Sequence, residues 1–252
     1  MLRPSIADSM TPATGGFATS VWRVDLERRA FALRVFRADQ AAVLQREVVA
    51  MRAAADGGVL VPRVHAIGQH EGRPALLLDW CAGRPIISQP WLGVAFGRLH
   101  RQLHGVPAPH GLRSNWIGWP AAADAAVLER LASAQLQSDR LLHLDFHPLN
   151  VLGERHRLTA VLDWTNAHAG DPRADFARTV TILRLSPPWD DRAQRLGRAL
   201  FEMLWRLGYG PPGPDMAAFY AWAGGAMLRD LAGRNSADEL EPVRRWTAQW
   251  LR

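Results

Sequence analysis

Residues 141–166 constrain this chain more than any other stretch. They read Leu-Leu-His-Leu-Asp-Phe-His-Pro-Leu-Asn-Val-Leu-Gly-Glu-Arg-His-Arg-Leu-Thr-Ala-Val-Leu-Asp-Trp-Thr-Asn. Inside them His143-x-Asp145-x-His147-x-x-Asn150 is followed, thirteen residues on, by Asp163. Two short apolar runs, 151–153 and 158–162, flank the polar residues 154–157, which is the pattern of a β-hairpin. A turn centred on His156 and Arg157 sets residue 150 opposite residue 163. Asp145 lies on the loop that enters the hairpin. Three oxygen-bearing side chains therefore converge on one small volume.

Phosphoryl transfer needs such a convergence, because it depends on positioning and charge neutralisation more than on covalent chemistry. One Asp accepts the proton of the attacking hydroxyl, and an Asn and a second Asp hold the divalent ions that bridge the nucleotide phosphates. Mg²⁺ prefers hard oxygen ligands and keeps part of its water, so two protein ligands plus phosphate oxygens suffice. The Asp-x4-Asn spacing equals that of a protein-kinase catalytic loop. The bland alternative is a buried hairpin with polar ends, but three such residues at this spacing are uncommon.

The segment 143–152, with Val161-Leu-Asp-Trp164 and Gly170-Asp-Pro-Arg-Ala-Asp-Phe-Ala177, resembles the aminoglycoside phosphotransferase family, whose relatives include choline and fructosamine kinases. The resemblance runs from about Gly15 to Ala177 and is weakest beyond. It implies an α+β, protein-kinase-like fold of two lobes: a small antiparallel β N-lobe with one helix over 1–80, and a larger, mainly helical C-lobe over 81–252. It implies an ATP- and Mg²⁺-dependent transfer of phosphate to a hydroxyl of a small molecule. By the same resemblance Asp145 is the catalytic base, Asn150 and Asp163 bind metal, and Asp175 holds the catalytic-loop backbone. Asp163-Trp-Thr stands where protein kinases carry Asp-Phe-Gly, which fits the small-molecule branch.

Composition narrows the remaining classes. All 30 basic residues are arginine, and the net charge is +6. The arginines are dispersed rather than clustered in a tail or stripe, which argues against a nucleic-acid partner. A single cysteine, Cys81, rules out an intrachain disulfide and suits a reducing cytoplasm. The first residues lack the apolar core of a signal peptide, and no run approaches the roughly 18 apolar residues of a membrane span.

The first half reads as the nucleotide lobe. Residues 1–13 read as a loose lead-in. Gly15-Gly16 precedes two strands, 21–26 and 31–36, and a Gly pair there lets backbone N–H groups approach phosphate. Arg34 occupies the position where the family usually has a lysine reaching the phosphates. The departure matters, because a guanidinium is longer and planar and stays charged. A helix over 39–55, with Asp39 as N-cap and Gly57-Gly58 as its stop, carries Glu47 as the partner of Arg34. Strands over 61–67 and 75–80 complete the sheet. Residues 79–82 read as the hinge, where the backbone of Asp79 and Cys81 would meet a purine edge.

In the second half, a helix over 91–104 carries His100 and His104 four residues apart. No acidic third ligand follows at a zinc-protease spacing, so the pair reads as structural. Trp116 and Trp119 lie in a loop and either line a cleft or pack. A helix over 121–136, one over 174–185 and two or three over 190–252 complete the chain. Between 82 and 142 three acids face six arginines, and from 186 onward eight face nine. Neither stretch has the overall acidic bias that suits a polycationic acceptor, so an aminoglycoside, another antibiotic and other hydroxylated metabolites all stay open as the acceptor. A second class of reading remains open: a nucleotide-binding module without turnover, favoured by Arg34 and by the modest Gly loop.

Overall fold

The structure is a computed structural model, and it describes residues 10–13, 19–118, 125–186 and 192–251. Gly15, Gly16 and Trp119 lie outside the described residues, as does the start of the helix expected from residue 121. The N-terminal sheet comprises β1 (Met10–Pro12), β2 (Ser20–Leu26), β3 (Arg29–Val35), β4 (Val64–His70) and β5 (Arg73–Asp79). All its pairs are antiparallel, in the order β1-β2-β3-β5-β4. Residues 10–12 are thus an edge strand rather than part of a loose lead-in. Val24, Leu33, Val35 and Ala75 form a small buried cluster of their own.

Helix α1 (Ala41–Asp56) packs on the opposite face through Leu44, Val48 and Met51. Asp39 is not its N-cap. It lies in a 3-10 turn, Ala38–Gln40, and bonds Arg37 instead. The stop at Gly57 is as expected, its N–H donating to Ala53 O at 3.0 Å.

The rest of the chain is mainly helical. It contains β6 (Arg84–Pro85), α2 (Gly93–Leu103), α3 (Ala125–Ser133), β7 (Arg140–Leu142), β8 (Val151–Glu154), β9 (Arg157–Val161) and β10 (His168–Gly170). Then come α4 (Pro172–Leu185), α5 (Arg192–Tyr209), α6 (Met216–Leu231) and α7 (Ala237–Trp250). Helix α4 starts as its sequence dictates: Asp171 accepts from the N–H of Arg173 at 2.9 Å, and Pro172 occupies the first turn. Helices α2 and α5 cross closely. A Cβ on Gly97 would meet Trp205 O at 2.1 Å, and one on Gly208 would meet Val94 O at 2.1 Å.

The central hairpin forms, but one residue out of the expected register. Its turn is Arg155-His156, since Glu154 pairs with Arg157, and the register shifts between Leu152 and Gly153. Asn150 therefore lies opposite Leu162, whose N–H donates to Asn150 O at 2.7 Å. Asp163 follows with φ +59° and turns out of the strand.

His100 sits inside the helical core, stacked on Phe146 with ring centroids 4.2 Å apart. Burial, and then the neighbouring His104, push its pKa down to about 3. In the unfolded chain the same group titrates near 6.5. The unfolded state therefore binds the extra proton between those values, and folding stability falls as pH drops below about 6.5. The slope from this group is about 1.4 kcal/mol per pH unit. Urea unfolding at pH 7, 6 and 5 should show that loss, and His100→Phe should flatten it.

Candidate active site

The residues of the 143–150 loop are held by a strained but well-satisfied backbone. Leu144 has φ +60°, which a branched side chain rarely adopts. Asp175, fully buried in α4, stabilises that turn. Its Oδ1 accepts from Leu144 N at 2.9 Å and its Oδ2 from His143 N at 2.6 Å. Arg178, one turn along α4, donates to Leu144 O at 3.3 Å. His143 anchors the loop to the hairpin through Leu162 O at 3.0 Å.

Asp175 also joins the histidine pair that sequence spacing left without an acid. His104 lies between Tyr209 Oη at 2.7 Å and Asp175 Oδ2 at 3.2 Å. His100 Nε2 is 3.7 Å from the same oxygen. The acid is 71 positions beyond His104, and only the fold brings it there.

Asp145 has His147 Nε2 at 3.4 Å, and the Asn150 amide nitrogen donates to both its O (3.0 Å) and its Oδ2 (3.1 Å). Burial alone would raise its pKa. The hydrogen bond and charge of His147, with Arg178 and His143, outweigh burial and hold it at about 2. Asp145 is thus a carboxylate throughout the neutral range.

Arg34 is the centre of a second cluster. In β3 it is 7% exposed, and all three guanidinium nitrogens are engaged. Nε donates to Thr19 Oγ1 at 2.9 Å, Nη1 pairs with Glu47, and Nη2 donates to Asp163 Oδ1 and Thr165 Oγ1, each at 2.9 Å. Burial opposes the charge on Arg34, but Glu47 and Asp163 outweigh it and raise its pKa. Burial also lifts the Glu47 carboxyl, against the pull of Arg34. Asp163 ends below the usual carboxylate range, because Arg34 and Thr165 outweigh its own burial.

The Arg34–Glu47 pairing is the one the sequence predicts. The grip of Arg34 on Asp163 is not. Asp163 and Asn150 were expected to meet side by side, yet Asp163 turns to Arg34 while Asn150 turns to Asp145. Both nevertheless line one cavity of about 330 Å³, together with Arg34 and Glu47. Val21, Ala32, Leu152 and Leu162 supply apolar wall. Asp79 and Cys81 also line it. The Asp79 carboxylate is 2.6 Å from His65 Nε2, so its side chain is already engaged. The Cys81 thiol is pushed up to about 11, by burial and then by Asp79, and stays protonated. Sequence reasoning missed Thr165, whose hydroxyl lies 2.6 Å from Asp163 Oδ1. Its place two residues after Asp163 was the available signal. Trp116 packs in the core rather than lining the cavity, 4.9 Å from the ring of Trp222.

Arg34→Ala would strand Glu47 in a buried, unpaired state, and such losses typically cost 3–5 kcal/mol. Glu47 then takes up a proton. The double variant Arg34→Ala/Glu47→Ala should be more stable than the sum of the two single losses predicts, as a double-mutant cycle by urea unfolding would show.

The family model described as "Phosphotransferase enzyme family" matches residues 9–132 and 113–220. No curated protein sequence matches the chain. Among solved structures, aminoglycoside phosphotransferase APH(4)-Ia is similar, in a ternary complex with AMP-PNP and hygromycin B. It shows 18% identity and a TM-score of 0.68, with 96% of this chain and 92% of that one covered. A fructosamine-3-kinase from Haemophilus somnus 129PT, described in its own name only as a presumed one, aligns at 13% identity and a TM-score of 0.67. That alignment covers 96% of this chain and 91% of the other. Aminoglycoside-3'-phosphotransferase of type VIII aligns at 19% identity and 0.62, covering 89% and 100%. At these identities the solved structures establish a shared fold, here the α+β, two-lobe kinase-like fold. With the family model spanning most of its length, the chain belongs to the phosphotransferase enzyme family.

Proposed function

We propose that the protein is an ATP-dependent O-phosphotransferase acting on a small hydroxylated molecule, with residues 1–80 binding nucleotide and 81–252 supplying catalysis and acceptor binding. One observation carries the reading: a cavity of ligand size has Arg34, Glu47, Asn150 and Asp163 on its wall, and Asn150 ties it to the ionised Asp145. The apolar walls suit a purine, whose edge would pair with the backbone of 79–81, part of the cavity lining. Arg34 would neutralise the phosphates as a fork. Asp145 would orient the acceptor hydroxyl and take its proton as the acceptor oxygen bonds the γ-phosphorus and the bond from that phosphorus to the β,γ-bridging oxygen breaks, ADP leaving. With a pKa of about 2 it is a weak base. That suits a loose transition state, in which little proton transfer is needed early.

Asn150 and Asp163 fit a Mg²⁺ ion. The amide nitrogen of Asn150 is used on Asp145, which leaves its carbonyl oxygen. Arg34 and Thr165 occupy Oδ1 of Asp163 and leave Oδ2. These are hard donors of the kind Mg²⁺ prefers, and the ion would screen charge on the phosphates. The lone cysteine, kept as a thiol, is consistent with a cytoplasmic setting. Among the described residues no helix is long and apolar enough to cross a membrane.

The hold of Arg34 on Asp163 favours one other reading, nucleotide binding without turnover, because the pair competes with metal for the carboxylate. Calorimetry with Mg·ATP, followed by ADP release over a panel of hydroxylated acceptors that includes hygromycin B, separates the two. Binding without turnover on any acceptor supports the module.

For an active enzyme, Asp145→Asn should lower kcat by about 10² or more, with ATP affinity near wild type. Wild-type kcat in that variant would remove Asp145 from the mechanism. Asp163→Ala should abolish the tightening of nucleotide binding by Mg²⁺, and Asn150→Ala should weaken it less. Between pH 5 and 9 the acid limb of kcat/KM should not come from Asp145, since that group titrates at about 2.

A further inference from the structure

Helix α5 is apolar on two opposite sides. Its inner side buries Phe201, Trp205 and Tyr209 against α2 and α4. The glycine contacts with α2 leave that side no room for anything else. Its outer side carries Leu196, Leu200, Met203 and Leu207, which are 63%, 44%, 59% and 73% exposed. At about 100° per residue these four fall within an arc of about 60°, opposite the buried face. The charged residues of the helix do not interrupt them. Glu202 and Arg206 pair with each other at 2.8 Å on the flank, and Glu202 also holds Arg184 at 2.7 Å. A surface helix normally shows one apolar face, and a second continuous one marks an interaction surface.

The spacing of the stripe says what fits it. Steps of four, three and four residues read the same in both directions. A second copy of α5 laid antiparallel about a two-fold axis would set Leu196 against Leu207 of the partner subunit and Leu200 against Met203 of the partner subunit. Every large apolar side chain of the stripe would then find another, which is the self-complementarity an isologous dimer requires. The exposed Trp91 lies in the turn Pro90–Leu92 just before α2, and a Cβ added at Gly93 would meet Leu204 of α5 at 2.7 Å. Two such faces would together bury on the order of 1,000 Å², the lower bound for a specific interface.

We propose that the protein forms a two-fold homodimer through the outer face of α5, in the antiparallel register just described. This goes beyond the phosphotransfer reading and does not depend on it. The cavity draws no residue from this face.

Sedimentation equilibrium of the full chain at micromolar concentrations tests the dimer. Wild type should sediment at twice the chain mass. Met203→Glu should sediment as a monomer with an unchanged far-UV circular dichroism spectrum, and Leu207→Glu, nearer the helix end, serves as a second variant should the first fail to fold. A wild-type monomer at all concentrations overturns the proposal, and so does a dimer that persists in both folded variants. Register is tested on a Cys81→Ser background. Leu196→Cys and Leu207→Cys chains should crosslink in high yield when mixed under oxidation, and neither should crosslink alone. Equal crosslinking in the unmixed samples would overturn the antiparallel register.

Discussion

A single buried cation organises the N-terminal half of this protein. Arg34 projects from the middle strand of the sheet into a space closed by α1 and by the turn after β9. A guanidinium there loses its hydration, and only charged and hydrogen-bonding partners offset that cost. Glu47 from the helix, Asp163 from the hairpin exit, and the hydroxyls of Thr19 and Thr165 supply them. Sheet, helix and hairpin are thereby fixed relative to one another through one side chain. A lysine has three donors clustered on one nitrogen at the end of a flexible stem, and would not span the same partners. The planar fork with five donors does. In a chain without lysine, the substitution therefore adds a link to Asp163 that a lysine would make less completely.

That link has a consequence for ligand binding. Phosphate oxygens entering the cavity would compete with Asp163 for Arg34, and release of Asp163 would free both its oxygens for a cation. On the proposed phosphotransfer reading, nucleotide and metal should therefore bind cooperatively here. The direction follows from charge: each ligand removes the partner that the other displaces.

The C-terminal half is organised by a buried anion. Asp175 receives the N–H groups of His143 and Leu144, and the Leu144 backbone keeps an unfavourable φ because those two hydrogen bonds over-determine it. His104, tied to Tyr209, completes the shell around the carboxylate. Asp145 is presented from this rigid turn. Its low pKa follows from the same neighbourhood, since His147, Arg178 and His143 all favour its charge over the cost of burial.

Much of this was legible in the residues. The spacing of Asp145, Asn150 and Asp163 pointed to the candidate site, because each lies next to a short apolar run of the hairpin. Arg34 and Glu47 were legible because one sits in a β-branched and aromatic strand and the other on a helix with an apolar stripe. The register of the hairpin was not, because a bulge at Leu152 and Gly153 changes the pairing by one residue without altering the apolar pattern. Nor was the direction of Asp163, which depends on a left-handed backbone and on a cation 129 positions away. The joining of Asp175 to His104, and the exposure of one face of α5, required the packing of helices distant in sequence. Local pattern determined which residues could do chemistry and which faces were apolar. Only the tertiary structure decided which partners each charge would meet, because burial and long-range contact set the energy of a charge and neither is local.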